Sequence, residues 1–309
     1  MSDVKTMTII SGKGGTGKTS VSASFAVLAK PVVVADCDVD AANLHLLLAP
    51  ETVETHQFFA MPSAKIDQDL CTQCGECLDL CRFGAIESPG PDNEPYYIEQ
   101  LSCEGCLVCY EFCPANAIEK VERPAGEWYV SEARTGPMAH ARLGIAQENS
   151  GKLVTEVRKA ASQLAEKEGL HTVIVDGPPG TGCAVIASMT GSDLVVAVAE
   201  ATLSGMSDLE RVHGLAKHFN IPLALVINKC DLLIEVTEKM EKWAEENDVE
   251  LLGMVPYDTA FSATMAEGKT MVEVQKLSEA GEALVKIWER VQAILDSKRK
   301  GHKKDAASA

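Results

Sequence analysis

Eight of the eleven cysteines of this 309-residue chain fall between Cys71 and Cys113, and their spacing limits what the chain can become. Cys71-x2-Cys74-x2-Cys77-x3-Cys81 is followed by Cys103-x2-Cys106-x2-Cys109-x3-Cys113-Pro114. The second run repeats the first at an offset of 32, which also carries Ala85-Ile86-Glu87 onto Ala117-Ile118-Glu119. Met1–Lys5 leads straight into an apolar strand without the basic and apolar regions of a secretory signal, and no apolar run could span a bilayer. A cytoplasmic location is therefore expected, with thiols kept reduced and clustered cysteines read as metal ligands. Structural zinc sites use two separated C-x2-C pairs, whereas runs of this form suit iron–sulfur clusters. Each half is too short to bury a core alone, so two clusters would supply the missing stability.

Residues 64–122 resemble the bacterial two-cluster ferredoxins. The resemblance implies two 4Fe-4S clusters with crossed ligation. Cys71, Cys74 and Cys77 would share one cluster with Cys113, and Cys103, Cys106 and Cys109 the other with Cys81. Arg82 stands where a proline usually follows the fourth cysteine, while Pro114 keeps that proline.

A second motif lies at the amino terminus. Thr6–Ile10 reads as a buried parallel strand, followed by Gly12-Lys13-Gly14-Gly15-Thr16-Gly17-Lys18-Thr19-Ser20 and an apolar helix over Val21–Ala29. Strand, G-x4-G-K-[ST] and helix in that order predict a phosphate-binding loop. Its glycines let backbone N–H groups approach phosphate oxygens, Lys18 reaches the β- and γ-phosphates, and the Thr19 hydroxyl binds Mg²⁺.

The form K-G-G-x-G-K-T resembles the deviant Walker A loop of the MinD/ParA/Mrp ATPases. That resemblance implies that Lys13 reaches across a dimer to the partner's nucleotide; a solvated loop lysine is the plainer alternative. It also implies that Asp36-Cys37-Asp38, after the strand Val32–Ala35, is a switch I. There Asp38 would orient or deprotonate the attacking water and Asp36 would support the magnesium shell. Thr172–Gly180 resembles the Mrp-type Walker B and switch II, with Asp176 on a magnesium-bound water and Gly180 sensing the γ-phosphate. Strands at Leu194–Ala199, Leu223–Asn228 and, at the edge, Leu251–Val255 complete a parallel pattern.

Asn228-Lys229-Cys230-Asp231 taken alone reads as a guanine reader. In the MinD-like group an asparagine at this place reads adenine, helped by a segment matching Pro256-Tyr257-Asp258, so the resemblance implies ATP. The cysteine repeat interrupts these ATPase parts. The expected organisation is a first ATPase part over residues 1–62, an inserted cluster domain over 63–124, a second ATPase part over 125–297, and a basic disordered tail over 298–309. Pro50, Pro62, Pro124 and Gly126 read as linker punctuation. The expected fold is α/β: a P-loop, MinD-like, mostly parallel sheet with helices on both faces, interrupted by a small α+β two-cluster ferredoxin-like domain.

A formal charge of −17 argues against nucleic-acid binding. Leu284, Ile287, Trp288, Val291 and Leu295 share a helix face that suits packing on the sheet, with membrane contact as the alternative; stable membrane insertion is not expected. Cys37, Cys183 and Cys230 read as structural thiols. Cys183 follows switch II where the nitrogenase iron protein has a bridging cysteine, but the second bridging cysteine has no counterpart.

Together these readings predict an ATP-hydrolysing iron–sulfur protein. Closure of a homodimer, or of a heterodimer with a paralogue, would drive electron transfer or metal–sulfur cofactor assembly with a client protein. A spatial regulator of the MinD or partitioning type, with structural or redox-sensing clusters, is the alternative.

Overall fold

Alternate side chains of Lys5–Ser11 (β1) enter opposite cores: Met7 and Ile9 one, Ile10 the other, all fully buried. A strand covered on both faces needs helices above and below, as in parallel α/β sheets. The computed structural model describes residues 4–59, 61–88, 95–144, 150–274 and 278–306. After β1 come α1 (Lys18–Ala29), β2 (Val33–Asp36), α2 (His45–Leu48), β3 (Glu51–Phe59), β4 (Ser63–Ile66), α3 (Glu76–Leu80) and β5 (Ile86–Glu87). β6 (Tyr97–Ile98), α4 (Val108–Glu111), β7 (Ile118–Val121), β8 (Pro124–Ala133), β9 (Gly136–Leu143) and α5 (Ser150–Glu168) follow. The rest is β10 (Thr172–Pro179), α6 (Cys183–Met189), β11 (Leu194–Glu200), α7 (Leu203–His218), β12 (Leu223–Asn228) and α8 (Ile234–Glu246). β13 (Glu250–Val255), α9 (Ala260–Ala266), α10 (Met271–Val274) and α11 (Glu279–Ala306) close the chain.

One sheet runs β13-β12-β11-β1-β10-β2-β9-β8-β3. β13, β12, β11, β1, β10, β2 and β9 are joined by parallel pairings, with Met7 between Ile174 and Leu194. The chain leaves β1 for β2 on one side, and leaves β10 for β11 on the other. Connections that diverge in this way open a crevice at the carboxyl ends of β1 and β10, where doubly wound sheets hold ligands. On one face α1 and α11 bury Phe25, Leu284, Ile287, Trp288, Val291 and Leu295 together, with the Phe25 and Trp288 ring centroids 5.3 Å apart. Met189, Leu209, Val212 and Met240 from α6, α7 and α8 cover the other. The α11 stripe is thus core, and no described helix is long and apolar enough to cross a membrane.

Two expectations need correction. Residues 298–306, expected to be disordered, continue α11, consistent with the good helix propensity of lysine and arginine; residues 307–309 lie outside the described residues. The presumed linker prolines border strands: Pro50 precedes β3, Pro62 precedes β4, and Pro124 opens β8, where a missing N–H is tolerated.

The chain divides into two compact units, one of Met1–His56, Trp128–Arg142 and Ser150–Ala309, the other of Gln57–Glu127 and Leu143–Asn149. In the first, Arg134 between β8 and β9 joins three segments. Its Nε donates to Leu47 O at 2.7 Å, its backbone N donates to Leu48 O at 3.1 Å, and its guanidinium grips both carboxylate oxygens of Glu273. The Arg134 hydrogen bond outweighs the opposing burial and, helped by Thr270, holds Glu273 down at about 2. A depressed carboxylate adds stability above its ordinary 4.5 and loses it as pH falls through about 2. Arg134→Met should therefore shift acid unfolding, followed by circular dichroism, to higher pH, with the difference from the parent vanishing below pH 2. The pair is partly solvated, so the expected cost near neutrality is only about 1 kcal/mol or less.

Candidate functional site

The loop from β1 to α1 makes its turns at Gly15 (φ 79°) and Gly17 (φ 91°), in the left-handed region that favours glycine. A Cβ on Gly17 would stand 2.3 Å from Asn228 Nδ2, which donates to Thr16 O at 2.7 Å. A Cβ on Gly12 would stand 2.1 Å from Asp208 Cβ on α7. Gly12→Ala must therefore push loop and helix apart; we expect about 1–3 kcal/mol of lost stability in denaturant titration, with weaker nucleotide binding by calorimetry.

Gly14, Gly15, Thr16, Gly17, Lys18, Thr19 and Ser20 line one cleft of about 650 Å³ with Asp38, Asn228, Pro256, Tyr257 and Asp258. Residues far apart in the chain meet there because all lie at the carboxyl ends of parallel strands. Asp36 and Asp176 end up behind Lys18, and Gly180 (φ 94°) donates its N–H to Ser11 O at 2.8 Å.

Lys18 Nζ is nearly buried, 2.9 Å from Asp176 Oδ1 and 3.6 Å from Asp38 Oδ2. Burial alone would lower its pKa; Asp176, Asp38 and Asp36 outweigh that and raise it, so the ammonium stays charged. Burial, reinforced by Asp176, pushes the Asp36 carboxyl up to about 8, and burial likewise raises Asp38. Asp36 Oδ2 and Asp176 Oδ2 are buried oxygens without a hydrogen-bond partner among the described residues. Such acceptors cost free energy unless something supplies positive charge or donors. With the Thr19 hydroxyl in the cleft, they make a hard-oxygen set that fits Mg²⁺ and its water shell. Ser22 Oγ, 2.7 Å from Asp176 Oδ1, braces that carboxylate; nothing in the motif spacing marks it.

Lys13 lies beside the cleft. Its Nζ is 2.8 Å from Glu200 Oε2, with Ser204 Oγ at 3.1 Å and Thr202 Oγ1 at 3.4 Å. Glu200 also takes Lys229 Nζ at 2.8 Å, and the two lysines hold its pKa below the ordinary value. The sequence reading missed Glu200, although a carboxylate closing the apolar strand β11 was a usable signal. Asp231 Oδ1 accepts the Tyr257 backbone N–H at 2.6 Å and is not among the residues lining the cleft. Of the three outlying thiols, Cys37 is buried and Cys230 half-buried, but Cys183 is exposed at the start of α6, which corrects its reading as a buried structural thiol.

The 32-residue repeat reappears as geometry. Ile66 pairs with Ile118 and Ile86 with Ile98, so β4–β7 and β5–β6 each join one strand from either half. Left-handed residues recur at the same offset: Gln73 and Gly105, Gly75 and Leu107, Gly84 and Asn116. Gln73 and Leu107 accept a conformation costing roughly 1–2 kcal/mol, which persists where the surroundings demand it. Ala85 N–H donates to Cys81 Sγ at 3.4 Å and Ala117 N–H to Cys113 Sγ at 3.3 Å. All eight sulfurs are free, and Cys74 and Cys106, again 32 apart, are the exposed pair among them. One cavity is lined by Cys71, Cys74, Cys77 and Cys113, walled by Ile66, Tyr96, Pro114 and Ile118. Four thiols around an apolar cavity, with N–H donors to sulfur, fit a cubane cluster. Burial pushes the Cys77 thiol up and Cys109 up to about 11, so loading must displace protons.

Known proteins agree with both halves of this picture. The chain is 34% identical over 225 residues to an uncharacterized protein of Methanocaldococcus jannaschii, covering 72% of this chain and 76% of that one. An uncharacterized ferredoxin of the same organism is 36% identical over 61 residues, covering 19% of this chain and 79% of the ferredoxin. The septum site-determining protein MinD of Pyrococcus horikoshii, solved with Mg-ADP, shares the fold. Its TM-score is 0.57 at 19% identity, covering 93% of this chain and 96% of that one. The family model of the CobQ/CobB/MinD/ParA nucleotide binding domain matches residues 7–271, from the first strand of the sheet to the start of α10. With the glycine loop, its lysine and the aspartates behind it in place, the chain belongs to that family of nucleotide-binding proteins.

Proposed function

We propose that this protein binds and hydrolyses ATP and couples nucleotide-driven dimer closure to electron transfer, or to metal–sulfur cofactor assembly, on a client protein. The observation that carries the reading is the coexistence, in one polypeptide, of the Lys18–Asp176–Asp38 cleft and the eight-cysteine unit, with the chain changing unit inside β3 and β8. Backbone N–H groups of Gly14–Thr19 cradle the phosphates, and Lys18 exchanges Asp176 for phosphate oxygens. Thr19, Asp176 and Asp36 would hold Mg²⁺ and its waters, with Asp36 in its deprotonated form. Asp38, partly buried at the cleft, orients the attacking water for in-line displacement. Lys13 leaves Glu200 to reach the nucleotide of a second copy or a paralogue. The use of Asp231 on the Tyr257 amide supports ATP over GTP, because that carboxylate is the group a guanine reader needs free. When bound at the two cysteine sets, 4Fe-4S clusters supply one-electron redox chemistry.

The test is ATP turnover by the purified full chain with its clusters oxidised and then reduced, together with the cluster spectrum with and without ATP. We expect turnover to differ between the two cluster states and the spectrum to respond to nucleotide. A rate blind to cluster state, with a spectrum blind to ATP, would remove the coupling.

A further inference from the structure

The two cysteine sets are matched in most of the features that govern a cluster's reduction potential. Each offers four thiols. Hydrogen bonds to sulfur match, with Ala85 N–H donating to Cys81 Sγ at 3.4 Å and Ala117 N–H to Cys113 Sγ at 3.3 Å. Exposure matches too, since each run leaves its second cysteine, Cys74 or Cys106, exposed and the other three partly buried. Charge is where the repeat breaks. The offset of 32 carries Arg82 onto Pro114, Lys120 onto Ser88 and Arg123 onto Pro91, and it carries Asp69 onto Leu101 and Glu76 onto Val108. Among residues next to a ligand, only Glu104, beside Cys103 where the first run has Thr72, runs the other way.

The cations gather on one set. Arg123 is half-buried, and its Nη1 donates to Cys103 O at 2.9 Å. Lys120 Nζ stands 4.2 Å from the centroid of the Tyr110 ring, and Tyr110 follows Cys109 in the chain. Arg82 directly follows Cys81, the ligand that crossed ligation gives to this set. The other set has carboxylates instead, Asp69 two residues before Cys71 and Glu76 directly before Cys77.

We propose that Arg123, with Lys120 and Arg82, makes the cluster of Cys81, Cys103, Cys106 and Cys109 the first of the two to take up an electron. Asp69 and Glu76 keep the cluster of Cys71, Cys74, Cys77 and Cys113 at a lower potential. The inference rests on the reading that this unit holds two 4Fe-4S clusters. Its cause is Coulombic. Reduction adds one negative charge to a cluster, so a fixed cation nearby favours the reduced form and a carboxylate opposes it. Arg123 acts most strongly, because a half-buried guanidinium is screened less than Arg82, which is exposed. One electron delivered to the unit therefore settles at the Cys103 set, and filling the Cys71 set takes a stronger donor. Once filled, the Cys71 set is the stronger reductant for a client.

An anaerobic redox titration of the loaded full chain tests the order of filling. The protein is poised with dithionite and mediator dyes and read by paramagnetic resonance and visible absorbance. The parent should show two separate one-electron steps. Arg123→Gln should lower the upper step and leave the lower one in place. The reduced-to-oxidised ratio at a fixed potential should fall about three- to tenfold, tenfold being about 59 mV for one electron. Arg123→Lys, which keeps the charge, should return the upper step most of the way. Glu76→Gln should raise the lower step alone. Iron content verifies loading, and if Arg123→Gln loses iron, Arg82→Gln carries the same test. Three results overturn the assignment: a lower step that follows Arg123, an upper step indifferent to Arg123 and Arg82, or one that Arg123→Lys leaves as low as Arg123→Gln does. Two loaded clusters at a single potential would sink this inference and leave the coupling reading standing. No cluster signal at all would sink the reading on which it rests.

Discussion

Lys18→Met is expected to cut ATP turnover by roughly 10²–10³-fold or more, the loss typical when one preorganised charge is taken from a developing anion. Lys18 Nζ is the cation facing Asp176 at 2.9 Å and Asp38 at 3.6 Å, and the carboxylates keep it charged despite its burial. Methionine preserves length and bulk but offers phosphate nothing. Breaking a buried ion pair can itself cost about 3–5 kcal/mol. Here part of that is relieved, because Asp36 already holds its proton up to about pH 8 and burial raises the Asp38 pKa as well. The folded fraction should therefore survive, as circular dichroism would show. Iron and sulfide content should match the parent, since the cysteines lie in a separate compact unit with a core of its own around Ile66, Ile86, Ile98 and Ile118. Turnover near the parental rate would remove Lys18 from the chemistry. Iron lost along with turnover would mean that the two units do not fold separately.

Removing crossed ligands in pairs should give an all-or-half result in iron. Cys113 joins Cys71, Cys74 and Cys77 around one cavity, although it lies next to Cys109 in sequence. Under crossed ligation the double variant Cys71→Ala, Cys113→Ala damages a single site and should keep about half of the iron. Cys81→Ala with Cys113→Ala damages both sites and should leave little. Ligation within each run reverses the sense of the first variant, because Cys71 and Cys113 would then serve different clusters. Alanine is chosen over serine because its side chain has no ligand atom. Iron analysis with paramagnetic resonance of the reduced protein reads both outcomes. Iron largely lost from the Cys71→Ala, Cys113→Ala protein would disprove crossing.

Much of the candidate site was legible because its pieces are local in the chain. A glycine loop between an apolar strand and a helix fixes where phosphate can lie, and the loop residues from Gly14 to Ser20 do line the cleft. Apolar runs marked β1, β2, β10, β11 and β12, because strands buried on both faces leave a continuous signal. β3, β8 and β9 escaped notice. Glu51–Thr55 of β3 is exposed throughout, so it has no buried face to write a pattern, and β8 opens on a proline.

The sequence by itself determined the chemistry on offer: which thiols come in sets of four, which lysine follows the glycines, which aspartates close apolar strands. Spacing along a covalent chain is enough for that, since a turn or a strand end holds neighbours in place wherever the element lies. Only the tertiary structure decided which of these groups confront one another. Lys13 meets Glu200, Lys18 meets Asp176 and Asp231 caps the Tyr257 amide because parallel strands bring their carboxyl ends to one edge of the sheet. Burial there, a property no residue carries alone, then raises the Asp36 pKa and keeps Lys18 charged among carboxylates.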